Sequence, residues 1–115
     1  MREKPICWVG SALDDLKSFP DEVRRRAGYQ LARVQAGLMP DDWKPMPTIG
    51  PGVSELRIRT MTAHRVIYTA RFAEAVYVLH AFEKRTSQTR QVDLDLARTR
   101  LRAVVNRRRN VTEGA

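Results

Sequence analysis

The sequence predicts an α+β fold: a small antiparallel sheet with two N-terminal helices and a C-terminal helix, in the order β-α-α-β-β-β-α. Three observations carry that prediction. Two stretches near the start and one near the end repeat apolar residues every three or four positions, the period of an amphipathic helix. Between them lie three strand-like segments whose short connections favour pairing between consecutive strands. The chain has 115 residues, of which 43% are hydrophobic, enough for one domain, 1–115, to build a core without disulfides or metal.

The elements follow in chain order. Pro5-Ile-Cys-Trp-Val9 is a strand closed by Gly10. Ser11, with Asp14 three residues on, resembles a capping box, and Leu13, Leu16 and Phe19 give the first helix its apolar stripe. Pro20-Asp21-Glu22 opens the second helix, because its first turn tolerates proline and favours acids. Val23, Ala27, Leu31, Val34 and Leu38 recur along one face of it, before Gly37 and Pro40 stop it. Pro40, Pro45, Pro47 and Pro51, with Gly50 and Gly52, make residues 40–52 a stiff loop pinned to the core by Trp43.

Strands are expected at about 54–60, 63–70 and 75–82. The last, Ala75-Val-Tyr-Val-Leu-His-Ala-Phe82, is almost wholly apolar and should be buried on both faces. A polar loop over 83–90 leads to a final helix at about 92–108, with Leu94, Ala97, Leu101 and Val104 toward the core. The helices are expected on one side of the sheet, and residues 1–4 and 110–115 are expected to fray.

Composition narrows the function classes. The formal net charge is +8 and the pI about 10.5, a balance suited to polyanions or to an acidic protein surface. The first 50 residues are near neutrality, so the excess belongs to the later strands and the last helix. Arg2 and Lys4 precede no long apolar run, so a signal peptide is not expected, and no stretch approaches the roughly 18 apolar residues of a membrane span. Cys7, the only cysteine, has no partner for a bridge and is read as a small apolar strand residue in a reducing, cytoplasmic setting.

The most informative stretch is Glu55-Leu-Arg-Ile-Arg59, followed by His64-Arg-Val-Ile-Tyr68. Alternation puts Glu55, Arg57 and Arg59 on one strand face and Leu56 and Ile58 on the other. With a turn centred on Thr62, Arg65 joins Arg57 and Arg59 in a cationic patch; a slip of one residue would bring His64 and Tyr68 there instead. Clustered guanidinium groups suit phosphate, each offering a planar fork of donors that stays charged. The plain alternative is a solvated arginine face with Glu55 as its ion-pair partner.

His80, near the end of the buried strand, is either a proton carrier beside this patch or a buried histidine bonded to backbone. His64 is expected at an exposed turn, and Tyr68 and Tyr77 are expected in the core. Glycine loops before a lysine, paired helical carboxylates, metal-ligand clusters and serine elbows are all missing from the sequence. An enzyme built on this chain would therefore be expected to work without metal or cofactor.

Three segments in order resemble the RelE/ParE toxin superfamily, most closely its phage-related HigB-like branch. They are Gly50-Pro-Gly-Val-Ser-Glu-Leu-Arg57, His64-Arg-Val-Ile-Tyr68 and the run from Tyr77 through His80, Lys84 and Arg85 to Thr89. The resemblance spans about residues 5–105 and implies a RelE-like fold. It also implies a type II toxin that cleaves mRNA on the ribosome and is silenced by an antitoxin, commonly of helix-turn-helix type. By the same resemblance, Arg65 stabilises the reacting phosphate, Arg57 and Arg59 bind RNA with Arg59 in reach of proton transfer, and Lys84 and Arg85 supply further basic contacts. The C-terminal catalytic tyrosine of some superfamily members has no counterpart after Tyr77, which leaves His80 as the candidate acid or base. Inhibition of DNA gyrase by a ParE-like toxin, or a phage-derived binding domain without activity, are the alternatives.

Overall fold

The computed structural model describes residues 3–114. Eight elements follow one another: β1 (Ile6–Trp8), α1 (Ala12–Lys17), α2 (Asp21–Gln35), β2 (Trp43–Pro45), β3 (Val53–Arg59), β4 (Ala63–Thr69), β5 (Val76–Glu83) and α3 (Gln91–Gly114). The α+β class and the expected elements are present. The sheet has one strand more than expected and is mixed: its order is β1-β5-β4-β3-β2, with β1 parallel to β5 and all other pairs antiparallel. The parallel pair has a physical cause, since two helices and three strands separate β1 from β5 and no hairpin constrains their direction.

The extra strand arises inside the proline-rich loop. Trp43–Pro45 pairs with Ser54–Leu56 at the sheet edge, where a residue without an N–H is tolerated. Trp43 is not the anchor expected of it, being 37% exposed; Met46 and Ile49, both buried, pin the loop instead.

Helices cover both faces of the sheet, a correction to the one-sided packing expected above. On one face, Leu16 of α1, Phe19 of the connection, and Val23, Ala27 and Leu31 of α2 meet Leu56, Ile58, Val66 and Val78. On the other, Ala97, Leu101 and Val104 of α3 meet Val53, Ile67, Tyr77 and Leu79. Alternation along β3 and β4 feeds both cores, which is why these strands carry apolar residues at positions of both parities. Leu38 lies outside the buried stripe of α2 and is exposed. The helix ends at Gln35, where Gly37 takes φ 85° and the Leu38 N–H reaches the Arg33 carbonyl at 2.9 Å.

Ser11 does not cap α1 as the sequence suggested; its hydroxyl donates to Asp15 Oδ2 at 2.8 Å. At the other terminus, α3 continues past the expected fraying point through residues 110–114, while positions 1, 2 and 115 lie outside the described residues. Lys4 is tied down, donating from Nζ to the carbonyls of Ala70 and Phe72. The distal part of α3 is held by Arg108, whose guanidinium meets Glu74 at 2.6 and 3.2 Å and stacks 3.9 Å from the Phe72 ring.

Candidate phosphate-binding site on β3, β4 and β5

Register decides the site. In the β3–β4 hairpin, Arg57 lies opposite Arg65 and Arg59 opposite Ala63, so the turn centres on Met61, not Thr62. The shift in pairing is two residues, and a two-residue shift preserves the faces. Glu55, Arg57, Arg59 and Arg65 therefore share one face as expected. His64 faces the other way, 3% exposed, with its ring 4.4 Å from that of Phe19 and Nδ1 3.2 Å from the Thr62 hydroxyl. It is a buried strand residue, not an exposed turn residue, and burial lowers its pKa below the ordinary histidine value.

Two arginines directly opposite on adjacent strands repel. Glu55 relieves them. Its carboxylate is 1% exposed and lies 3.3 Å from Arg65 Nε and 3.4 Å from Arg57 Nε, both approaching Oε1. The second oxygen accepts a hydrogen bond from Thr89 Oγ1 at 3.1 Å, which ties the loop before α3 to the same carboxylate. Arg65 also donates from a terminal nitrogen to the His64 carbonyl at 3.1 Å. It forms the floor of the site, 5% exposed, and its pKa is lowered by burial, with Glu55 opposing that shift.

More open cations surround this floor. Arg57 is half-buried, and Arg59, at the sheet edge, pairs with Asp42 at 3.1 Å. Lys84 continues the β5 ladder, its N–H donating to the Ala63 carbonyl at 2.7 Å. Its pKa is lowered, chiefly by burial and then by Arg65, with Arg57 and Lys44 adding to the effect and Glu55 opposing it. A compact set of Arg57, Arg65 and Lys84 around one buried carboxylate is thus held by three adjacent strands. Arg85 stands apart, out in solvent with Glu83 at 3.0 Å.

His80 reaches the same sheet face through a β-bulge. Pairing passes from Ile67–His80 to Tyr68–Val78, so Leu79 is the extra residue, and its carbonyl accepts from Arg100 at 2.8 Å. His80 Nε2–H donates to Asp93 Oδ1 at 2.7 Å, while Arg90 donates to the second Asp93 oxygen at 3.2 Å. The ring stacks on Phe82 at 4.9 Å, and Nδ1 is buried with no hydrogen-bond partner among the described residues. The partner is a carboxylate on α3, where the sequence suggested backbone.

Sequence reasoning treated Glu55 only as a salt-bridge partner and missed Thr89 and Asp93. Glu55 carried a usable signal, since alternation already put it on the arginine face. Thr89 and Asp93 carried none, because their contacts depend on how α3 returns across the sheet. Among the described residues no three His, Cys, Asp or Glu side chains converge as a metal site needs. What the arrangement offers is fixed positive charge for a polyanion and one amine of lowered proton affinity.

Residues 14–102 match the family model described as Phage derived protein Gp49-like (DUF891). No curated protein matches the chain.

Proposed function

The chain belongs to the Gp49-like family of phage-derived proteins, and on that premise we propose that it is a type II toxin, a ribosome-dependent endoribonuclease that cuts translated mRNA. The observation that carries the reading is the Glu55–Arg57–Arg65 cluster: two guanidinium groups fixed on adjacent strands by one buried carboxylate, with Lys84 and Arg59 beside them. Such preorganised charge costs no rearrangement when a phosphate gains negative charge, which is the main requirement for cleaving RNA.

In the proposed reaction the ribose 2′-oxygen attacks the adjacent phosphorus as its proton leaves to a base. The bond from phosphorus to the 5′-oxygen breaks, and that oxygen takes a proton. The products are a 2′,3′-cyclic phosphate and a 5′-hydroxyl. Arg57 and Arg59 bind the phosphate chain, Arg65 holds positive charge beneath the phosphorane, and Lys84 donates the proton to the leaving oxygen. His80 has one ring nitrogen committed to Asp93, so its contribution is to hold α3 against the site. Arg85, further out, makes a peripheral RNA contact. The expected regulator is an antitoxin, and an acidic segment of it would cover this cationic face.

A purified translation system tests the proposal. Added protein should cut ribosome-bound message, leave free transcript intact and produce cyclic-phosphate ends. Arrest without any cut transcript would contradict it, and DNA breaks through gyrase would select a ParE-like toxin instead.

A further inference from the structure

β2 pairs with only the first half of β3, and beyond it the last backbone–backbone bond to that edge is from Arg57 N–H to the Asp42 carbonyl at 2.9 Å, with Arg26 of α2 reaching across to donate to the Arg59 carbonyl at 3.4 Å. The edge from Arg57 to Arg59 therefore opens into a cleft of about 500 Å³ between β3 and α2, lined among others by Arg25, Arg26, Tyr29, Arg57 and Arg59. We infer that this cleft holds single-stranded RNA flanking the cleaved phosphate, with a base stacked on Tyr29 and the backbone contacted by Arg25 and Arg26. The inference rests on the ribonuclease reading and adds to it a binding surface on α2 outside the strand cluster.

Continuity is the first argument. Arg57 borders both the Glu55 cluster and the cleft, so a chain bound at one is led into the other. The second is composition. Four arginines face two aspartates in the lining, Asp41 and Asp42, which leaves the cleft cationic. Arg26 pairs with Glu22 at 3.0 Å and Arg59 with Asp42 at 3.1 Å, but three of these side chains are mostly exposed and that of Asp42 is 43% exposed. Exposed pairs contribute little, so a phosphate can replace either carboxylate. Arg25, exposed on α2, has no carboxylate partner among the described residues.

Tyr29 is the third argument. It is 61% exposed on a helix whose apolar face is already used by Val23, Ala27 and Leu31. An exposed aromatic ring beside arginines is how proteins hold unpaired bases, because every base offers a face to stack. A hydrophobic peptide anchor would need an apolar pocket, and among the described residues Ile58 is the only aliphatic side chain in the lining.

The test uses the full chain and a short fluorescent RNA carrying a 2′-deoxy nucleotide at the cleavage position, so that binding is read without cutting. Tyr29→Ala should weaken binding roughly 5- to 100-fold with an unchanged salt slope, and Tyr29→Phe should restore it. Arg25→Ala should lower the magnitude of the slope of log K against log salt by ~0.7, the loss of one phosphate contact to a single strand. Parent-like affinity and slope in Tyr29→Ala and Arg25→Ala overturn the inference, and cleavage lost on altering Arg65 would then leave the ribonuclease reading standing. Tyr29-dependent RNA binding by a parent that cuts no ribosome-bound message would do the reverse. Tighter, Tyr29-dependent binding of polyglutamate than of RNA would make the cleft a protein site and also overturn the inference.

Discussion

The buried carboxylate of Glu55 lies 3.3 Å from the Arg65 guanidinium, diagonal to it across the β3–β4 hairpin. One acid thereby serves two arginines that face each other in the register. Removing it would leave Arg65 and Arg57 buried or half-buried with no counter-charge between them.

Glu55→Gln should therefore destabilise the fold strongly, by about 3–5 kcal/mol, the usual cost of breaking one side of a buried pair. Adding Arg65→Met should recover much of that loss without restoring RNA cleavage. Urea unfolding of the single and double variants, beside cleavage assays, checks both halves. A stable, fully active Glu55→Gln protein would show that the carboxylate positions nothing.

Lys84→Arg keeps the charge and removes a readily transferred proton. A donor must be protonated, so cleavage by the parent should fall as pH rises through the Lys84 pKa, which lies below the ordinary 10.5. In Lys84→Arg the rate should drop and that alkaline fall should disappear. Single-turnover rates across pH measure it; an unchanged profile would take Lys84 out of the chemistry.

His64 supplies a pH dependence of stability unconnected with the reaction. Its folded-state pKa lies below the ordinary histidine value of 6.5, with burial the main cause. An unfolded chain therefore takes up a proton at a pH where the folded chain resists it, and stability falls as pH drops below about 6.5. His64→Phe should flatten the melting temperature between neutral and mildly acidic pH. If His64→Phe and the parent lose stability in parallel there, the buried neutral imidazole is not the cause.

A second acid-sensitive joint fastens α3. Glu74 is held down to about 2 from 4.5, chiefly by the Arg108 guanidinium, and Tyr77, raised to about 12 mainly by burial, donates to the same carboxylate. Stability from Glu74 is present above 4.5 and lost as pH falls toward about 2. The pair is partly exposed, so the effect on global stability is small. Hydrogen exchange in the last turns of α3 should accelerate over that range in the parent and be fast throughout in Glu74→Gln.

The arginine face was legible in the sequence because strand alternation survives a two-residue register error. The slip that would have exchanged His64 for Arg65 needs an odd shift, which the Leu56/Ile58 face forbids. Helical faces were equally plain, since Val23, Ala27, Leu31 and Val34 keep their period. What periodicity could not give was direction and layering. Neither β1 running parallel to β5 nor α3 crossing to the opposite face leaves a local mark, and the three-residue β2 is too short to show in a proline-rich loop. The Thr89 and Asp93 contacts follow from that layering and were hidden with it.

The central claim is that Arg65, fixed by Glu55, stabilises the phosphorane in ribosome-bound message. It is tested most directly by single-turnover cleavage of an mRNA held on the ribosome, with saturating protein. The parent is compared with Glu55→Gln/Arg65→Gln, which removes one charge of each sign, with urea unfolding run beside it to check that the variant is folded. Loss of one preorganised stabilising group predicts a rate lower by ~10²–10³ with ribosome binding retained. Cleavage by the double variant at the parent's rate would contradict the account.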